Sequence, residues 1–436
     1  MNLFKMIACR SVQLTLRAAL PVLPYSQPQR LSSIEALPEV LHQHHIERVL
    51  LITDKGIRNC HLTEPLEKVL AASHIHCTVY DGTTANPTDT NVQEAYDLYC
   101  ANHCQALIGF GGGSSMDCAK GCGARIARPS TPLSKMEGVL RVHKKLPLLI
   151  AVPTTAGTGS EVTLAAVITD SQTHHKYAIS DFCLIPKVAV LDPEITRSLP
   201  PFITACTGMD ALTHAVEAYI GRSTTKETRH DATEAVRLIF ANLPQAYHHG
   251  DDMEARANML KAAYLAGNAF SQSYVGYIHA VAHSLSGKYN VAHGLANAVL
   301  MPGILDAYGS CIHKKLARLA IAAGVADESD SPAVAANAFI NAIRQFNREF
   351  GIPDVIKELK KEDICELART ADKEANPLYP VPVLLSAKQL EGFYEKVRED
   401  HHGENTDPQS CTETESLLPG RKDTGCQCPD FITAKS

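Results

Sequence analysis

Residues 107–120 read LIGFGGGSSMDCAK. An apolar run ends in Gly111-Gly112-Gly113-Ser114, and a helical pattern follows. A strand, a glycine turn and a helix N-terminus form an anion site. Unblocked N–H groups and the helix dipole favour phosphate, and absent β-carbons let it approach. The spacing fits neither GxGxxG nor GxxxxGK(S/T). The same stretch also reads as a plain tight turn from strand to helix.

A second loop of this kind lies downstream. Residues 153–161 read PTTAGTGSE, directly after the apolar run LLIAVP (148–153). Thr154, Thr155, Thr158 and Ser160 supply hydroxyls, and two glycines leave backbone donors open. The loop suits a dinucleotide, and it also reads as an ordinary polar connection. RVLLIT (48–53), HCTVYD (76–81), ALIGF (106–110) and VAVLD (188–192) are strand-like as well, each bounded by Gly, Pro, Asn or Asp. Helical patterns separate these runs, so residues 35–200 predict an α/β domain with a mainly parallel sheet. Glycine loops at the carboxyl ends of parallel strands are where open α/β sheets bind ligands. Asp54 ends RVLLITD. An acid there can accept both hydroxyls of an adenosine ribose and repel a 2′-phosphate, which favours NAD over NADP. It can equally cap the helix that starts nearby. It precedes the glycine loop by more than 50 residues, so the strand order must differ from the usual dinucleotide fold.

Residues 201–400 have a different texture. A helical period dominates 210–220, 228–249, 254–272, 311–323 and 333–350, so this half is expected to be all-helical. Leu199-Pro200-Pro201 marks the boundary, because two prolines stop a continuing element. In GMDALTH (208–214), Asp210 and His214 are four apart and share one helix face. In HAVAHSLSGKYNVAH (279–293), His279 and His283 repeat that spacing, and His293 follows a break at Gly287–Asn290. One carboxylate with three imidazoles suits iron(II) or zinc(II). The chain has 20 histidines, and a single Asp-x-x-x-His says little. His279 and His283 differ, since both lie in an apolar, small-residue helix where a buried imidazole needs a partner.

The 436 residues are 45% hydrophobic and 20% charged, with a net charge of −6. That composition excludes a wholly disordered chain and argues against nucleic acid as the main partner. No run of about 18 apolar residues occurs, so no membrane span is expected. The 14 cysteines are scattered without a CxxC pair, and Cys60, Cys77, Cys100, Cys104, Cys118, Cys122, Cys183 and Cys206, within or beside apolar segments, read as small buried hydrophobes of a reduced compartment. Residues 1–34 hold Lys5, Arg10, Arg17 and Arg30 and no acid. This segment reads as a transit peptide, an interfacial amphipathic helix or a plain surface helix. Residues 401–436, with Cys411, Cys426 and Cys428, lack any period and read as a disordered tail.

Taken together, TDKG (53–56), DGTTANPT (81–88), GGGSSMDCAK (111–120), PTTAGTGSEVT (153–163), DALTHAVEAY (210–219) and HAVAHSLSGKYNVAHG (279–294) closely resemble the iron-containing (group III) alcohol dehydrogenase family. The resemblance spans roughly residues 35–398. It implies a dehydroquinate synthase-like architecture: an α/β dinucleotide-binding domain, then an all-helical metal-binding domain, with the metal in the cleft. It implies that Asp210, His214, His279 and His293 hold the metal and that His283 stands near it without binding. Asp54, Asn86, Gly112, Gly113, Ser114, Asp117, Thr154, Thr155, Thr158, Thr163 and Lys176 match positions that line the NAD site. His214 argues against members with three metal ligands, such as glycerol dehydrogenase. Ala165 stands where some members carry an asparagine facing the nicotinamide. Tyr274 and Tyr277 replace smaller residues before His279, so the substrate does not carry over from the resemblance.

These features predict an NAD(H)-linked enzyme of primary alcohols and aldehydes. The metal serves as Lewis acid, and His283 is the candidate proton relay. The alternatives are a hydroxyacid-oxoacid transhydrogenase of the same family, a dehydroquinate synthase-type lyase, and a binding protein with a dead site. A homodimer or larger homo-oligomer is expected. The location is read as cytoplasmic, with the acid-free N-terminus pointing to mitochondria as the alternative.

Overall fold

A computed structural model describes residues 3–173 and 175–399. The strands are β1 (Gln29–Leu31), β2 (Arg48–Ile52), β3 (His76–Tyr80), β4 (Ala106–Gly111), β5 (Gly138–Val139), β6 (Leu148–Pro153), β7 (Ala165–Thr169), β8 (Lys176–Ser180) and β9 (Val188–Val190). Six of them form a parallel sheet in the order β1-β9-β6-β4-β2-β3, and β5-β8-β7 form a small second sheet. The five runs read as strands from the sequence are all in the large sheet. Every residue of β4 is buried, as a parallel strand covered on both faces requires.

The chain runs from β2 outward to β3, then crosses back to β4 and on to β6 and β9. Its direction therefore reverses between β2 and β4. A crevice outside the carboxyl ends at such a reversal is where doubly wound sheets hold ligands. β2 pairs directly with β4, so Asp54 comes to lie beside the glycine turn despite its distance in sequence. The sheet also begins earlier than residue 35: Gln29–Leu31 pairs with Val188–Val190. That strand is half-exposed and three residues long, too short to carry an alternation.

After Pro201, no strand occurs among the described residues. The helices Pro201–Ile220, Lys226–His248, Met253–Ser273, Tyr277–Tyr289, His293–Tyr308, His313–Ala322, Pro332–Glu349, Ile364–Ala375 and Ala387–Lys396 form the second half. Pro200 extends the backbone and Pro201 opens the first helix, where a missing N–H costs nothing. That helix is buried almost continuously from Thr204 to Ile220. A helix apolar all round belongs at the centre of a bundle, and one core joins Leu212, Ile239, Leu260, Val281, Leu300 and Phe339 around it.

Residues Leu3–Ala19 form a helix. Cys9 and Gln13 are buried, and Cys9 belongs to the core of the helical half. The expected disordered tail, residues 401–436, lies outside the described residues. No helix among the described residues is long and apolar enough to cross a membrane.

Candidate metal centre and dinucleotide cleft

Asp210 and His214 lie one turn apart on the central Pro201–Ile220 helix. His279 lies in the first turn of Tyr277–Tyr289, and His293 opens the next helix. Asn290 adopts a left-handed conformation, φ 56°, and ends the first of these two helices. The chain then turns within two residues, which brings His293 back to the cluster. One ligand atom from each of Asp210, His214, His279 and His293 falls within 4.8 Å of the other three. His293 Nε2 is 3.5 Å from Asp210 Oδ1, and His279 Nε2 is 3.9 Å from it. Gly294 permits this approach: a β-carbon there would lie 2.9 Å from Cys206 C and closer still to its O.

The environment favours neutral imidazoles. Burial pushes the pKa of His214 down, against the pull of Asp210. Burial, then the neighbouring histidines, holds His279 far below its ordinary value. His293 is also lowered, mainly by burial, although its side chain is 31% exposed and water there weakens the effect. Neutral imidazole is the ligand form. His279 Nε2, which faces Asp210 in the cluster, is buried without a hydrogen-bond partner. An orphaned polar atom of this kind is rare in folded proteins, and a divalent cation satisfies it. The residues therefore fit iron(II) or zinc(II).

Three residues missed by the sequence reading support the cluster. Glu217, two turns after Asp210, is buried and accepts from Gly276 N at 2.8 Å, Ile278 N at 2.8 Å and His279 Nδ1 at 2.6 Å. It thereby caps the Tyr277–Tyr289 helix and leaves His279 Nε2 directed at the cluster, an arrangement common around metal-bound histidines. Burial outweighs these donors and raises Glu217 to about 7. Asn297 Nδ2 donates to Asp210 Oδ1 at 2.7 Å and contacts His293 Nε2 at 3.1 Å. Glu374 accepts from His283 Nδ1 at 2.6 Å. Glu217 lies within DALTHAVEAY (210–219), seven residues after Asp210 and on the same helix face, which is its signal in the sequence. Glu374 is 91 residues from His283 and has none.

His283 is outside the four-atom cluster, but its ring stacks on His293 with centroids 4.9 Å apart. Tyr277 is buried. Its hydroxyl shares its one proton between Asn376 Oδ1 and Leu385 O and accepts from Leu385 N.

The nucleotide candidates gather on the facing domain. Gly112 N-caps the helix Gly113–Ala127, and Ser114 lies in its first turn. A β-carbon on Gly113 would lie 3.0 Å from Thr158, so the two glycine-rich loops touch. Thr154 N donates to Gly111 O at 3.0 Å, with Thr155 beside Gly112. Asp117 accepts from Ser160 Oγ at 2.8 Å and Val167 N at 3.0 Å. Buried Lys120 donates to Ser160 Oγ, to Thr163 O and Oγ1, and to Ala165 O, all at 2.9–3.0 Å. It thus pins the second loop to the glycine helix. Lys176 Nζ donates to Asn86 Oδ1, and Asn86 Nδ2 donates to Asn290 Oδ1 across the cleft. Asp54 does cap: its Oδ1 accepts from Ile57 N at 3.0 Å. Its Oδ2 lies 3.5 Å from Ser115 Oγ, in the helix that follows the glycine turn. The two sites meet at Gly157 of the second loop. A side chain on Gly157 would strike Thr207 of the central helix.

Known proteins share this arrangement. The iron-containing alcohol dehydrogenase family matches residues 29–193, and the C-terminal region of the same family matches residues 204–397. The 1,3-propanediol dehydrogenase of Citrobacter freundii is 39% identical over 335 residues, 76% of this chain and 86% of the relative. A solved 1,3-propanediol oxidoreductase superposes with a TM-score of 0.82 at 34% identity, covering 86% of this chain and 99% of the other. The sulfoacetaldehyde reductase of Bifidobacterium kashiwanohense, solved in complex with NAD+, gives a TM-score of 0.76 at 27% identity over 86% and 98% of the two chains. The chain therefore belongs to the iron-containing alcohol dehydrogenases, a family of oxidoreductases.

Proposed function

We propose that this protein interconverts primary alcohols and aldehydes with NAD(H), using Asp210, His214, His279 and His293 to hold a divalent metal, iron(II) or zinc(II). The observation that carries this reading is the convergence of these four groups, one with an orphaned ring nitrogen, against the loop that closes the dinucleotide crevice. The bound metal supplies Lewis acidity at the alcohol oxygen, and NAD supplies the hydride acceptor.

The chain's own residues do the rest. Gly112, Gly113 and Ser114 present helix N-terminal N–H groups to the pyrophosphate. Thr154, Thr155 and Thr158 add hydroxyl and backbone donors, with Asp117 and Thr163 fixing the loop that carries them. Asn86 and Lys176 close the nicotinamide end, and Asp54 faces the adenosine ribose. Glu374 accepts the Nδ1 proton of His283, which leaves Nε2 free to take the hydroxyl proton as the alcohol is oxidised.

A cytoplasmic location is the proposed one, and the acid-free N-terminal segment makes a mitochondrial location the alternative. A homodimer or larger homo-oligomer is the expected assembly.

Anaerobically purified protein, assayed for metal and then on a panel of alcohols and aldehydes, tests the proposal. NADH release that scales with metal content is the expected result. Turnover of a hydroxy acid with an oxo acid, without added NAD, would replace this reading with the transhydrogenase. Elimination without net NADH would replace it with the lyase.

A further inference from the structure

The segment Pro377–Pro382 (PLYPVP) runs alongside the candidate active site. Three of its six residues are prolines. Proline lacks an N–H, so the segment cannot build a helix or a ladder, and most of its carbonyls need donors from elsewhere. Within the segment Val381 N donates to Tyr379 O, and Arg222 N donates to Pro380 O. The N-terminal helix provides the other donors. Gln13 Nε2 donates to Pro377 O at 3.2 Å and Tyr379 O at 2.7 Å. Arg10 donates to Val381 O at 2.8 Å and Pro382 O at 3.0 Å. Arg10 Nη1 also donates to Gln13 Oε1 at 2.7 Å, which locks the two side chains together. Four carbonyls of one segment are thus held by two residues of one helix turn.

Tyr379 joins this clamp to the chemistry. Gln13 holds its carbonyl, while its hydroxyl donates to Glu374 Oε1 at 2.7 Å. The same Glu374 oxygen accepts from His283 Nδ1. From the other side, Tyr277, two residues before His279, is bonded to Asn376 and Leu385. The segment therefore sits between the helix of His279 and His283 and the N-terminal helix. That helix lies before residue 29, where the family match begins.

We propose that Arg10 and Gln13 are positioning residues of the active site. They act through Pro377–Pro382 and Tyr379 to hold Glu374 on His283. The proposal rests on the relay assigned to His283 above. Glu374 can fix the proton on His283 Nδ1 only while its own carboxylate is fixed, and the segment that fixes it has no internal ladder.

The test uses the full chain with its metal. The variants are Arg10→Met/Gln13→Ala, the milder Arg10→Lys, and Glu374→Gln, with Phe4→Ser on the exposed face of the same helix as control. Hydrogen exchange over residues 376–385 reads the clamp without requiring activity. Steady-state oxidation of the best alcohol reads the consequence. The double variant should exchange faster in this segment than the parent and lose about tenfold in kcat, with KM for NAD unchanged. Arg10→Lys should recover part of the loss. In the Glu374→Gln background the double change should cost nothing further, because the pathway is already cut.

Parent-like turnover in the double variant, or losses that multiply with Glu374→Gln, would overturn the proposal. If the double variant unfolds, Gln13→Leu in the full chain gives the same readouts with the side-chain volume kept. A parent inactive on every alcohol and aldehyde would sink the dehydrogenase reading and this proposal with it. An active parent with an indifferent double variant would sink the proposal alone.

Discussion

Gly294→Ala probes how closely the metal centre depends on helix approach. The added β-carbon would stand 2.9 Å from Cys206 C and 3.3 Å from Asp210 Cβ. Carbon atoms pack at about 3.5–4.0 Å, so the His293–Tyr308 and Pro201–Ile220 helices must part by about 0.6–1 Å. The first neighbour is backbone and cannot rotate away. His293 adjoins Gly294 and moves with it, away from Asp210. Ligand geometry must hold to within about 0.5 Å, so the displacement is large enough to matter. Metal affinity should fall about 10–100-fold, the loss typical of disturbed support around a metal site, or about 1.4–2.8 kcal/mol. Overpacking should also destabilise the metal-free protein by about 1–3 kcal/mol. Alanine's better helix propensity offsets at most about 1 kcal/mol of that. The assay is anaerobic competition for the metal against a chromophoric chelator, with thermal melting of the metal-free protein alongside. Parent-like affinity would show that the contact does not set the centre.

Glu217→Gln should weaken metal binding about 10–100-fold while NAD affinity holds; unchanged affinity in the same chelator assay would mean that His279 needs no anionic partner. Asp54→Asn keeps a capping side chain and removes the charge, so NADP use should rise with melting unchanged, and an unaltered NADP/NAD ratio of kcat/KM would leave Asp54 as a cap only. His45, His61, His74 and His103 each stand just past a helix end with φ between 52° and 58°, and the bonds Ile46 N to Leu41 O and Ile75 N to Leu70 O show the helix-closing turn. Glycine suits that turn, so changing all four histidines to glycine should stabilise the fold by about 0.5 kcal/mol per site, once glycine's own entropy cost is set against the relieved strain, and so raise the melting temperature. A lower melting temperature would show that the imidazoles stabilise the helix ends. Burial, against the attraction of Asp117 and Glu161, lowers Lys120 to about 8; the folded state then sheds this proton before the unfolded state does, so the stability difference between parent and Lys120→Met should shift in the parent's favour as pH rises through 8 toward 10.5, and a difference independent of pH would refute the lowered value.

What the sequence determined by itself was periodic and local. Apolar runs bounded by glycine and proline located the central strands, because a parallel strand buried on both faces must be apolar throughout. The four-residue spacing of Asp210 with His214 placed two ligand candidates on one helix face, because a helix repeats every 3.6 residues. Short, half-exposed strands such as Gln29–Leu31 bury too little to leave a pattern. The supporting groups were illegible for a different reason. Asp54 needed the reversal between β2 and β4 before it could meet the glycine turn. Glu374 meets His283 from 91 residues away, and Arg10 meets Val381 from 371 residues away. Nothing in the local pattern of either partner encodes such a meeting. Only packing decides it, since a buried carboxylate or an unladdered carbonyl takes whichever donor the fold brings within hydrogen-bond reach.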